Sequence, residues 1–412
     1  MRRESFPRIC DAAGVAKVAV PPSADAVVVG GGCMGASTAF HLARRGLRVV
    51  VLERHHIASG STGHSGAIVR RLYEARIGVR LARAGLGFFQ RFEEETGHPC
   101  GFVETGILSG ARARDVPALE ALIALMRSEG VDARAVSPRE AKALAPHLAV
   151  DDLAAAAFDP ESGYADPILT AAGFAGAAEA NGAHLAEGVR VEEVTAPRGS
   201  ERIVRWSRGR IAAGSVIVAA GTLTNRVLPK GAAAIPMRFE PGEVAIFRRP
   251  AGSGDPPPVY FDVYGNTYSR PEGSRDVLAG YMKRPPERTA VRPEPFDETL
   301  PMATARDLRR RLALRFPIMA RAQPRGGWVG LYDVTPDGYP VVDRVADRVY
   351  ACAGFSGHGF KLSPRIGELL AEFVATGKRP ADLEPLRATR FAEKRPVVPE
   401  APFPARRGSR LP

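Results

Sequence analysis

Apolar positions fall in two patterns along this chain, short continuous runs and helix-spaced stripes, and their alternation predicts most of the elements. Asp25 to Val29 is a short apolar run, read as a buried strand. Cys33 to Arg45 has helical spacing, with Gly46 just past its end as a stop. Leu47 to Leu52 is a second apolar run, so the chain opens as a βαβ unit. Helical spacing returns over Leu81 to Glu95, stopped by Gly97 and Pro99, and over Pro117 to Glu129, stopped by Gly130. Ser137-Pro138-Arg139-Glu140 is a capping box. Asp166-Pro167 places a cap and a first-turn proline at the head of a helix that ends at Asn181-Gly182. Strand patterns follow. Gly188 to Val194 is one, and Ile203 to Trp206 with Arg210 to Ile211 flank a hairpin turn at Ser207-Arg208-Gly209. Ser215 to Ala219 is a buried-type run, and from Pro236 to Tyr281 short strands alternate with Gly/Pro turns, as in an antiparallel sheet. Thr304 to Arg315 and the stripe Ile366, Leu369, Leu370, Phe373 are helical. No internal repeat is present.

Composition narrows the class. The 412 residues suffice for two cores, and 45% hydrophobic with 25% charged residues is ordinary for a globular protein. Cys10, Cys33, Cys100 and Cys352 form no CxxC pair and no metal spacing, so they read as reduced thiols of a cytoplasmic protein, with no metal site expected. No apolar stretch approaches the roughly 18 residues that span a bilayer. Met1 to Ser23 is interrupted by Asp11, Lys17 and Pro21-Pro22, which argues against a cleaved secretion signal. The net charge of +12 raises nucleic acid as a partner. The arginines are spread out, however, and the clusters Arg309-Arg310-Arg311 and Arg406-Arg407 are short and poor in aromatics. A small anionic cofactor or substrate, together with compositional bias, accounts for the balance as well. Beyond Phe391 the chain is rich in Pro and Arg with few core residues, and a flexible tail is expected over 392–412.

Three segments carry chemistry. Val27 to Gly35 reads GxGxxG directly after a strand and before a helix. Gly30 permits the tight turn, Gly32 lets a pyrophosphate approach the backbone, and Gly35 lets helix and strand pack closely. The helix N-terminus then faces the phosphates. Glu53 closes the second strand, where an acid accepts hydrogen bonds from ribose hydroxyls. This pattern leaves FAD and NAD both open. Val216 to Gly221, followed by Thr222 and Asn225, is a late strand ending in small residues that lets the chain run close under a bound dinucleotide. Gly354 to Lys361 is a turn with three glycines before a helix. Lys361 closes it in a chain with only seven Lys against fifty Arg, and a lysine retained there supplies a compact, titratable ammonium.

Gly30 to Gly35 with Glu53, Gly60 to Tyr73, Tyr332 to Asp337 and above all Gly354 to Lys361 resemble the FAD-dependent amine and amino-acid oxidoreductases of the D-amino-acid oxidase family. The nearest branch is that of monomeric sarcosine oxidase and pipecolate oxidase, and the similarity runs from Asp25 to about Phe391. The resemblance implies an α/β plus α+β fold. A Rossmann-type, glutathione-reductase-like and discontinuous FAD-binding domain (25–105, 160–230, 325–391) would follow an N-terminal extension (1–24). A smaller, mostly antiparallel β-sheet substrate domain (106–159, 231–324) would complete it. It implies FAD as cofactor, held by Gly30, Gly32, Cys33, Met34, Gly35, Glu53, Arg54, Ser61, Thr62 and His64, by Val191, Ala220 and Gly221, and by Gly354, Gly357, His358, Gly359, Phe360 and Lys361. Arg70 and Lys361 match the two cations that fix a substrate carboxylate in such enzymes, with adjacent Arg71 as the alternative to Arg70. The reaction implied is oxidation of the C–N bond of a small anionic amine. Tyr264, Tyr268 and Tyr281 in the antiparallel region are candidates to line the pocket or, as alternating aromatics on a sheet face, to pack in the core.

Departures from the family pattern bear on the acceptor. Gly330 stands where the monomeric oxidases tether flavin through cysteine, and Leu278 where they place an oxygen-activating lysine. Gly60-Ser61-Thr62-Gly63-His64 is similar to the dimethylglycine dehydrogenase segment whose histidine carries the flavin. The electron acceptor is therefore O2 or, for a dehydrogenase, a quinone or flavoprotein. A basic dinucleotide-fold binding protein without turnover is the alternative of another class.

Overall fold

The computed structural model describes residues 19–195, 201–283 and 291–404. Its centre is the strand Ser23–Val29, parallel to Val49–Leu52 on one side and to Gly209–Val218 on the other. His184–Ala186 extends the sheet beyond Val49–Leu52. The long strand Gly209–Val218 forks: its first half pairs antiparallel with Arg202–Trp206, its last residues parallel with Val349–Ala353. Val191–Val194 and Val341–Ala346 complete the eight strands. The run expected at Ser215 to Ala219 is thus the continuation of the hairpin strand. The helix Cys33–Ala43 has no polar face, and all of its residues are buried. It lies between the helices Pro167–Ala180 and Gly359–Thr376, against Phe174 on one side (rings 5.8 Å from Phe40) and Ser363 on the other, whose carbonyl accepts from Ser37 Oγ at 2.8 Å.

A second sheet of eight strands runs in the order Gln323–Val334, Arg238–Arg248, Asp276–Tyr281, Thr267–Glu272, Val259–Asp262, Ile107–Ala111, Ala155–Asp159, Arg134–Val136. Every pairing is antiparallel except that of Val259–Asp262 with Ile107–Ala111. The helix Met302–Arg315 covers one face with Leu308 and Leu312. The other face packs Val244, Tyr268 and Leu278 against Ile68 and Tyr164 of a small three-stranded sheet. The sequence boundary at 325 is corrected: Gln323–Val334 belongs wholly to the second sheet, and the chain rejoins the first at Val341. Of the N-terminal extension, residues 1–18 lie outside the described residues.

Two further differences share a cause. The helix expected from Leu81 begins at Arg76 and breaks at Arg91, with a short helix Phe92–Thr96 after it. Its head has no local side-chain cap; the Arg76 N–H is met instead by Glu400 Oε1 at 2.9 Å. Glu400 belongs to the stretch expected to be a flexible tail, which is corrected for 392–404. Ala401 and Phe403 are buried, and the amides of Glu400 and Ala401 donate to Glu74 O at 2.7 and 3.0 Å. Just before it, Arg390 is wholly buried and grips Asp337 with one guanidinium edge, Nε on Oδ2 and Nη2 on Oδ1 (2.8 and 2.9 Å). A composition poor in core residues hides such an anchor because charge-assisted hydrogen bonds carry it. Residues 405–412 lie outside the described residues.

Candidate cofactor and substrate site

The turn after the first strand is shaped by close approach. Gly30 sits at φ 108°, and a Cβ there would stand 2.4 Å from Ala219 O, at the end of the neighbouring parallel strand. A Cβ on Gly35 would stand 1.9 Å from Gly30 O, so helix and turn touch backbone to backbone. Glu53 ties this turn to the second strand: Oε2 accepts from Gly31 N–H at 2.7 Å and Oε1 from His55 N–H at 2.9 Å. Thr62 Oγ1 accepts from the first amide of the helix, Cys33 N–H, at 3.0 Å. Ser61 Oγ donates to Leu331 O at 2.8 Å, joining the same loop to the second sheet.

Around this turn lies a cavity of about 430 Å³. Gly30, Gly32, Cys33, Met34, Glu53, Arg54, Ser61 and Thr62 line it from the first βαβ unit, Val191, Ala220 and Gly221 from the late strands, and Gly357, Gly359 and Phe360 from the C-terminal loop. A Cβ on Gly32 would meet only Thr62 Oγ1, at 3.1 Å, so the backbone is bare toward the cavity. An acid beside a helix N-terminus, a bare glycine turn and an elongated cavity reaching a second glycine-rich loop fit a flavin dinucleotide. Gly35 and Gly354 support this wall without lining it. His64 is also absent from the lining: its Nδ1 faces Gly60 O at 3.0 Å and its Nε2 meets Glu298 at 3.2 Å. In this arrangement both ring nitrogens of His64 are engaged by the protein, as a histidine that caps its own turn would be. Gly330 packs against this histidine, where a Cβ would be 2.8 Å from His64 Cβ.

Beside the cavity four polar side chains converge. Lys361 lies in the first turn of the helix Gly359–Thr376 and is 5% exposed, its Nζ only 3.5 Å from Gly357 O. His358 caps that helix, and its Nδ1 lies 3.1 Å from Tyr73 Oη and 3.3 Å from Arg70 Nη2. A guanidinium has only donors, so Nδ1 is an acceptor and the imidazole proton sits on Nε2. Arg70 also donates to Leu72 O and lies over the Tyr73 ring, 4.5 Å from its centroid. Burial, with Arg70 nearby, holds the Lys361 ammonium well below the usual lysine range; burial, with Lys361 and Arg70, does the same to His358. Burial pushes the Tyr73 hydroxyl up to about 12. Arg71, the alternative to Arg70, is buried in ion pairs with Asp159 and Glu161, so its charge is already matched within the protein. The tyrosines expected in the pocket are placed elsewhere: Tyr264 donates to Asp115 at 2.7 Å, Tyr281 to Asp307 at 2.8 Å, and Tyr268 packs in the core over Gly66.

Among the cavity residues that escaped the sequence reading, one is a buried acid. Asp333 is 9% exposed and lines the cavity, and its Oδ2 accepts from Gly354 N–H at 2.7 Å. The available signal was a lone acid inside the apolar run Trp328 to Val334. Burial pushes its carboxyl up to about 6. The folded chain therefore holds this proton to higher pH than the unfolded chain does, so stability falls as pH rises from about 4 to about 6 and stays lowered above that. Asp333→Asn keeps an oxygen for Gly354 and removes the charge. It should stabilise the flavin-free chain by on the order of 2–3 kcal/mol at alkaline pH and by little in acid, read by denaturant unfolding at the two pH values. An equal effect at both would contradict a buried titrating carboxyl.

Comparison with known proteins fits this geometry. The human mitochondrial sarcosine dehydrogenase is 28% identical over 393 residues, which cover 90% of this chain; the chain spans 42% of that relative's length. The glycine oxidase of Geobacillus kaustophilus is 26% identical over 382 residues, 90% of this chain and 98% of the relative. Among solved structures, the L-proline dehydrogenase of P. horikoshii superposes with a TM-score of 0.84 at 26% identity, covering 92% of this chain and all of that one. The likeness extends over about nine-tenths of this chain in each case. The family model for FAD dependent oxidoreductases, DAO, matches residues 25–373, and the chain belongs to that family.

Proposed function

We propose that this chain oxidises the C–N bond of a small amino acid or N-methyl amino acid. The carrying observation is the placement of Arg70, His358 and Lys361 together beside the cavity that fits FAD. Arg70 and Lys361 are the carboxylate-binding pair. Burial above all, and Arg70 after it, lowers Lys361; an arriving anion opposes both by giving the ammonium a partner of opposite charge. The same positive field disfavours a protonated substrate amine, which must be neutral before its carbon can lose hydride. His358, held by Tyr73, positions Arg70 from the other side. Bound FAD supplies the hydride acceptor. The imine product then hydrolyses in water.

The names of the relatives include both oxidases and dehydrogenases, and one observation favours a dehydrogenase. Leu278, where an oxygen-activating cation would stand, is fully buried among Ile68, Val244 and Tyr268. An apolar wall gives superoxide no electrostatic partner. We therefore propose a quinone or flavoprotein as acceptor in preference to O2. The buried free thiols of Cys33, Cys100 and Cys352 support a reducing, cytoplasmic setting. Anaerobic mixing with sarcosine, glycine, proline, pipecolate or D-amino acids should bleach the flavin band for at least one of them. Reoxidation should then be faster with a quinone or dye than with air. A protein bleached by none of these refutes the substrate class, and rapid stoichiometric peroxide in air refutes the acceptor.

A further inference from the structure

Three arginines on the cavity wall point at one carboxylate that is not part of it. Arg54 follows Glu53, Arg190 precedes the strand Val191–Val194, and Arg226 lies in the short helix Thr224–Val227; all three line the cavity. Glu294 receives all of them: Arg54 Nη1 on Oε1, and Arg226 Nη1 and Arg190 Nη2 on Oε2 at 3.0 and 3.7 Å. It sits in the irregular segment 291–299, which leads into the helix Met302–Arg315 of the second body. The same segment is pinned a second time, by Glu298 to His64 Nε2 at 3.2 Å, and His64 belongs to the loop whose Gly60, Ser61 and Thr62 line the cavity. Its far end is held by Val329 N–H on Glu298 O at 2.9 Å. Two acids four residues apart therefore fasten one segment at two points, to three arginines of the cavity wall and to His64 beside it.

We infer that segment 291–299 is an ionic strap over the nucleotide cavity, and that Glu294 is a cofactor-retention residue. The three arginines are too many for one surface carboxylate unless they are gathered there for a reason, because like charges repel at that spacing. Their positions explain it. Each is on the Rossmann-type body, and the carboxylate is on the other, so the cluster closes the two across the mouth through which a dinucleotide must leave. The pairs are partly exposed, so the closure is weak for each pair, additive over the network and sensitive to salt. The segment has no sheet ladder or helix of its own to hold it shut. This rests on FAD occupying the cavity described above, and it assigns a role to His64 that does not involve the flavin.

The test uses the purified holoprotein and its Glu294→Gln variant. Hydrogen exchange measured by mass spectrometry should rise in peptides covering 291–299 and stay unchanged in the first sheet. FAD release, followed as recovered flavin fluorescence after dilution, should be about tenfold faster in the variant, a loss expected from several weak pairs acting together. Added sodium chloride should speed release from the parent protein and do much less to Glu294→Gln. Arg226→Gln should reproduce the exchange change. Unchanged exchange over 291–299 in Glu294→Gln overturns the strap whether or not flavin leaves. Slower release overturns it too, for the arginines would then serve the nucleotide and Glu294 would compete. A parent protein purified without a flavin spectrum would instead refute the assignment of FAD to this cavity.

Discussion

Gly35→Ala is expected to abolish FAD retention and to strip the chain of much of its stability, although it places the best helix former in a helix. In an exposed helix interior that change stabilises by about 1 kcal/mol. Here the new Cβ would lie 1.9 Å from Gly30 O, and the clash is with backbone rather than with a side chain that could swing away. The contact is held on both sides. Gly30 is itself pressed against Ala219 O, and the helix is wedged between two others with every residue buried. Relief requires the helix N-terminus to back away from the turn, and that opens the geometry a pyrophosphate needs. Overpacking of this kind costs about 1–3 kcal/mol in cores that can shift, and more where backbone meets backbone. Gly87→Ala is the matched control. It lies in the helix Arg76–Gln90 with nothing nearer than Arg91 Nη1 at 3.9 Å, and it should be neutral or stabilising. Urea unfolding of both variants without flavin, and FAD titration followed by fluorescence quenching, decide the matter. A Gly35→Ala protein that unfolds like the parent and still turns yellow would show that the close approach is not needed.

Features set by neighbours in sequence were legible; those set by distant charges were not. The strand, the glycine turn, the helix and Glu53 belong to one local unit, so spacing alone places the acid against the turn. The helix caps are equally local: the Ser137–Glu140 capping box, and Asp166 accepting from Ile168 and Leu169, appear where the sequence puts them. The early start of the helix at Arg76 was hidden because its cap comes from Glu400, 324 positions away. The same distance hid the packed tail. Arg70 and Arg71 are alike as letters, and only the chain fold, which brings Asp159 and Glu161 to one and His358 to the other, separates their tasks. Gly354 to Lys361 was found by its glycines, but its placement differs in one respect. Lys361 is within the helix rather than at the end of a free loop, so its backbone is fixed and its ammonium buried. Glu294 gave no signal at all, being one acid among forty-five acidic residues until three arginines meet it.

Lys361→Met should raise the Michaelis constant for a carboxylate substrate by about tenfold or more, as expected for loss of a charged hydrogen bond worth about 1.5–3 kcal/mol. Methionine keeps the length of the stem and removes the charge. The variant should nonetheless fold at least as well as the parent. Among the described residues Lys361 makes no ion pair, and burial with Arg70 nearby holds its ammonium well below the usual range. The unfolded chain therefore binds the proton more readily, and the folded state carries a penalty that is full below the lowered value and diminishes as pH rises from there to the ordinary lysine range. Removing the amine removes that penalty. A change that stabilises the fold and weakens substrate binding is the signature of a group kept for function. The pH profile separates this from a packing defect. Affinity of the parent for a non-reacting carboxylate should fall as pH rises through the titration of Lys361, because only the ammonium attracts the anion. In Lys361→Met that limb should flatten, and an uncharged amide analogue of the substrate should bind both proteins about equally. An unchanged Michaelis constant, or a carboxylate affinity that keeps its pH limb in the variant, would remove Lys361 from the substrate site and leave Arg70 to hold the anion alone.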